Sequence, residues 1–121
     1  MAWSLDARIP LLVTGSVAAL AAALASGPKA AVLAEAPPPP LPAGAVALAG
    51  FDAFMPHAVA CNCCGGRSAA AAALDRLFQA RVRGLCPWFE RVVALAETPE
   101  ARAMVEAALR DDAVTAARFR L

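Results

Sequence analysis

Three of the four cysteines in this 121-residue chain fall within four positions, Cys61-Asn62-Cys63-Cys64, with Gly65-Gly66 directly behind them and Cys86 further along. Thiols this close cannot readily pair with one another, because a disulfide needs separated Cα positions and the intervening backbone is too short to relax. They suit a soft metal instead. On an extended backbone Cys61 and Cys63 project to one face and Cys64 to the other, and a turn at Gly65-Gly66 would swing Cys64 toward the first two. Tetrahedral zinc takes thiolates at ~2.3 Å, and the fourth position could come from His57, Cys86, water or a partner protein. The competing reading is that these cysteines are small buried hydrophobes. That description suits Cys86, between Leu85 and Pro87, better than a ligand role. His57, the single histidine, is either a ligand or an ordinary loop residue. A cysteine nucleophile wants an oriented base nearby, and nothing in the sequence orients His57.

Composition bounds the partners. Eleven Lys+Arg against ten Asp+Glu leave a formal charge of +1. That removes the electrostatic attraction behind most non-specific nucleic-acid binding, and no stretch interleaves Lys/Arg with aromatic residues. Nucleic acid is therefore not an expected partner. The hydrophobic fraction of 60% looks membrane-like, but 34 of those residues are alanine, which buries little area. A chain of this length forms one domain, with few methylenes to bury at ~0.8 kcal/mol each.

The elements that must position the cysteines begin at the N-terminus. Ile9 to Ala25 is an apolar run behind Arg8, interrupted by Thr14-Gly15-Ser16. One reading is a signal peptide over residues 1–25, which would place the cysteines in an oxidising compartment as an exported protein. Asp6 in the charged leader and Pro10 at the front of the run argue against it, and the run is shorter than the ~20 residues a spanning helix needs. The preferred reading is a strand Ile9–Thr14, a turn at Gly15-Ser16 and a helix Val17–Ala25 stopped by Gly27-Pro28. The chain is then expected to be cytoplasmic, with no membrane partner.

Further along, Lys29–Ala34 reads as a second strand, and residues 35–56 as a proline-rich linker around Pro37–Pro40 that could hold a short strand at Ala45–Ala49. Another short strand is a candidate at His57–Cys61. Ser68 is a good N-cap for a helix Ala69–Arg83 with Leu74, Leu77, Phe78 and Val82 on one face. Arg91–Ala96 carries a clear strand signal. Thr98 and Pro99 open a helix to Arg110, and a last helical turn or two runs through Val114–Phe119. Strands alternating with helices predict an α/β fold, a small three-layer domain with a mainly parallel sheet.

The segment Val59-Ala60-Cys61-Asn62-Cys63-Cys64, followed by a helix ending at Arg83-Gly84 and by Phe89-Glu90-Arg91-Val92-Val93, resembles the CobW-type GTPases, regarded as metal chaperones. In that family a Gly-Cys-x-Cys-Cys motif precedes a helix ending near Arg-x-Gly, and a strand of the type Phe-Asp-Arg-Val-Val follows. The start, Ile9-Pro10-Leu11-Leu12-Val13-Thr14-Gly15, is similar to the family's first strand and the opening of its P-loop. The tail from Ala107 to Leu121 is similar to its next helix and the approach to its next strand. The resemblance implies a fold like part of a P-loop GTPase domain, with residues 8–34, 35–56 and 57–121 as its strand-turn-helix-strand, linker and cysteine-motif parts. It also implies metal ligation at Cys61, Cys63 and Cys64.

The departures are as informative. A P-loop needs Gly-x-x-x-x-Gly-Lys-Ser/Thr to cradle phosphates and hold magnesium, but Gly15 runs into Ser16-Val17-Ala18-Ala19-Leu20 with no second Gly and no Lys. Where the family has Glu-Thr-Thr-Gly after its strand, this chain has Leu95-Ala96-Glu97-Thr98, and it ends before the family's guanine-reading Asn-Lys-x-Asp. GTP is therefore not an expected cofactor and hydrolysis is not an expected activity. The expectation is a truncated relative that binds or transfers zinc or a similar divalent metal. The alternatives are a non-catalytic interaction or regulatory protein and an exported small cysteine-containing protein. Because the family's next strand is absent, an unpaired sheet edge is expected beside Arg91–Ala96, with a protein partner or a homodimer to cover it.

Overall fold

The computed structural model describes residues 6–54 and 67–121. Five strands, β1 (Ile9–Thr14), β2 (Ala30–Glu35), β3 (Ala45–Phe51), β4 (Arg91–Leu95) and β5 (Phe119–Arg120), form one sheet in the order β3-β2-β4-β1-β5. Every pairing is parallel. Among the described residues four helices connect them: α1 (Val17–Leu24), α2 (Ala69–Val82), α3 (Pro99–Asp111) and α4 (Ala113–Arg118). The fold is thus α/β with a parallel sheet, as the alternating pattern predicts.

A parallel sheet is covered on both faces, so its strands read as continuous apolar runs, and β2 and β4 do so. On one face Leu20 and Leu24 of α1 pack on Val32, Val93 and Leu95. On the other, Leu74 and Leu77 of α2 and Val105 of α3 pack on Leu11, Leu33, Val92, Phe51, Phe89 and Phe119. Alternate residues of a strand supply the two clusters, as the two-residue side-chain period requires. Each long helix starts at a hydroxyl cap: the side chains of Ser16, Ser68 and Thr98 accept from the backbone N–H of Ala19, Ala71 and Ala101. Among the described residues no helix is long and apolar enough to cross a membrane.

The order of the strands overturns the expected edge. β4 is the central strand, hydrogen-bonded to β2 on one side and β1 on the other, and Val92, Val93 and Ala94 are fully buried. The chain returns between strands already laid down, which side-chain periodicity cannot show. The edge strand is β3, which occupies seven residues of the stretch taken as a linker. The prolines end at Pro42, Gly44 turns with φ +90, and the residues after it carry the N–H groups a ladder needs. The other edge also departs from expectation. Phe119 does not end a helix but opens β5, paired with Ile9, because its ring is the side chain that fills the core there. The candidate strand His57–Cys61 lies outside the described residues.

Candidate functional site

β1 sends the chain through α1 across one face of the sheet, whereas the adjacent β4 sends it through α3 across the other. Such a switch opens a crevice at the carboxyl ends of the two strands, the place where open α/β sheets bind ligands. Here the ends of the two strands are tied together. Thr14, buried, donates its hydroxyl to the Ala94 carbonyl at 2.6 Å, and the Ala96 N–H donates to the Thr14 carbonyl at 2.9 Å. Gly15 and Ser16 make the turn into α1 directly, and a methyl group added to Gly15 would stand 3.4 Å from Arg102 Nη2.

The start of α3 already holds an anion, and it belongs to the chain. Glu35, at the end of β2, accepts the Glu97 and Thr98 N–H groups on Oε1 at 2.7 and 3.1 Å and the Thr98 hydroxyl on Oε2 at 2.6 Å. The free N–H groups and dipole of a helix N-terminus favour negative charge there, and Glu35 supplies it from 63 residues away in sequence. We expect Glu35→Ala to lower stability by about 1–3 kcal/mol through the stranded donors. Urea unfolding should show a lower midpoint with an unchanged slope, and an unchanged midpoint would mean that water replaces the carboxylate without loss.

The described chain borders the cysteine motif at Phe54 upstream and at Arg67 downstream. Upstream, β3 delivers Asp52, whose Oδ1 accepts the Phe54 N–H at 2.9 Å and turns the chain out of the sheet. Downstream, Arg67 precedes α2 and is clamped to α4. Its guanidinium donates to Asp112 Oδ2 from Nη2 at 2.6 Å and from Nε at 3.0 Å, and Nη2 also reaches Thr115 Oγ1 at 3.2 Å. Burial alone would push the Asp112 carboxyl up, but hydrogen bonds from Thr115 and Arg67 outweigh it and hold the group below the usual carboxylate range. Asp75 continues the network by pairing with Arg118, whose guanidinium lies 4.1 Å from the Phe78 ring centroid.

Cys61, Cys63, Cys64 and His57 lie outside the described residues. Cys86 is described, and it is half-buried against the core at the far end of α2. The 14 residues of α2 span roughly 21 Å, whereas the three residue steps from Cys64 to Arg67 can reach at most ~11 Å. Cys86 packs against the core, in keeping with its apolar neighbours. Among the described residues no group of three His, Cys, Asp or Glu side chains could hold a metal ion.

Sequence reasoning missed Glu35 and the Arg67–Asp112 clamp. Both join residues more than forty positions apart, and neither stands in a local pattern that would announce its partner. Compared with protein-family models, with curated proteins and with solved structures, the chain shows no match.

Proposed function

We propose that this chain binds a thiophilic divalent metal, zinc first, through Cys61, Cys63 and Cys64, with His57 as the candidate fourth ligand, and that it stores the metal or passes it on without hydrolysing GTP. The observation that carries the reading is the cluster itself: three thiols within four residues, on the connection from β3 to α2. Three soft donors favour zinc or copper(I) over hard cations, and tetrahedral sulfur ligation suits zinc. Both attachments of the segment, at Asp52 and Arg67, are held by hydrogen bonds. An anchored tether costs less ordering entropy when a metal closes it. The resemblance to CobW-type metal chaperones supports the same assignment. Protein purified without added metal should carry about one zinc per chain, and a variant with all three cysteines replaced by serine should carry none. Equal metal content in the two would overturn the reading.

Two features support the absence of nucleotide chemistry. The Gly15-Ser16 turn has neither the length nor the lysine of a phosphate cradle, and the N-terminus of α3 is occupied by the carboxylate of Glu35. An exposed helix N-terminus such as that of α1 contributes ~0.3–1 kcal/mol toward an anion, against the ~8 kcal/mol of a micromolar complex. A calorimetric titration with GTP should therefore detect no binding tighter than millimolar, and a micromolar affinity would refute this part of the reading.

A further inference from the structure

The C-terminal end of α2 and the loop after it carry large apolar side chains that the core does not use. Val82 closes α2, Gly84 turns out of it with φ +70, and the loop Leu85–Glu90 then leads into β4. In this stretch Val82, Leu85 and Trp88 are 51%, 74% and 55% exposed. Trp88 is nevertheless fixed. The Arg81 guanidinium lies 3.6 Å from its ring centroid while Arg81 Nε donates to the Phe89 carbonyl at 2.8 Å, and Phe89 itself is fully buried.

Beside the indole is a concavity of about 510 Å³ lined by Gly27, Pro28, Lys29, Trp88 and Glu90. Its two walls are cross-linked: the Glu90 N–H donates to the Lys29 carbonyl at 2.9 Å, and Arg91 donates to the Pro28 and Ser26 carbonyls at 2.9 and 2.6 Å. Residues 26–29 and 81–91 contribute four cations, Lys29, Arg81, Arg83 and Arg91, against the single carboxylate of Glu90.

We propose that this pole is a docking surface for a protein partner, which presents an acidic segment with an apolar side chain that enters the concavity against Trp88. Tryptophan and arginine are the side chains on which binding energy concentrates, and a rigid indole in a preformed pocket loses little freedom when covered. The surrounding positive charge selects a partner of opposite sign and speeds its approach. The surface lies at the amino ends of β2 and β4. The inference stands whether or not the cysteine segment holds metal.

The test uses the full chain and three labelled probes: a peptide alternating Leu with Glu and Asp, the same peptide with Gln and Asn in their place, and a short thymidine oligonucleotide. The acidic peptide should bind about tenfold or more tightly than its amide counterpart, with an affinity that falls as salt rises. Trp88→Ala should weaken that binding by about tenfold, and Arg83→Glu should weaken it and flatten the salt dependence. Val114→Ala, exposed on α4, should leave it unchanged. Equal affinity for the two peptides, indifference to Trp88→Ala, or preference for the oligonucleotide would each overturn the proposal.

Discussion

A Cys63→Ser variant is expected to lose zinc affinity by more than about a hundredfold, since even removing partners one shell further out commonly costs 10–100-fold. Losing Cys63 would leave Cys61 and Cys64, which keep the two-residue spacing common in zinc sites, so the expected loss comes from the missing third thiolate. Serine keeps the size and the polarity but not the softness or the acidity of the thiol. Because the ligands must be deprotonated, zinc uptake should release protons and weaken as pH falls. Competition against a coloured chelator at two pH values measures both effects. Unchanged affinity in Cys63→Ser, or an affinity insensitive to pH, would mean that the cysteines are packing residues.

Phe89→Ala should cost about 3–5 kcal/mol, a large share of the roughly 5–15 kcal/mol that holds a domain together. Phe89 is fully buried where the chain enters β4, within a cluster whose other members include Ala31, Ala70, Ala71, Ala73, Ala94, Ala96, Ala101 and Ala108. Alanines have no rotamers through which to move into the space a lost ring leaves, so the cavity should persist and the cost should lie at the high end. The truncation also removes the second ring beside Arg81, which lies 5.4 Å from the Phe89 centroid. Urea unfolding compared with Leu121→Ala, 63% exposed and expected to be neutral, reads the difference. A loss below about 1.5 kcal/mol would show that the core collapses around the gap after all.

The central strand shows why local pattern and global order come apart. Arg91–Leu95 is legible as a strand from its apolar run, and Thr98-Pro99 as a helix start from capping chemistry, since both signals lie within one element. That β4 inserts between β2 and β1 depends on which faces the helices bury, and no window of sequence holds that information. The same holds at the start of α3. Glu35 ends a strand and Thr98 caps a helix, yet their meeting, with a hydroxyl-to-carboxylate distance of 2.6 Å, exists only because β2 and β4 are neighbours.

The sequence by itself determined most element types, the hydroxyl caps at Ser68 and Thr98, the parallel α/β class, and the chemical identity of the thiol cluster. These follow from interactions between residues a few positions apart, where spacing and side-chain type are sufficient. Only the tertiary structure decided that β3 forms the edge and that Phe119 pairs as a strand. It also decided that Glu35 fills the N-terminus of α3, that Cys86 packs on the core beyond the C-terminal end of α2, and that Arg67 is clamped by Asp112. Each of these is a contact between distant positions, set by the competition of all apolar faces for one core, and a linear pattern carries no record of which face wins.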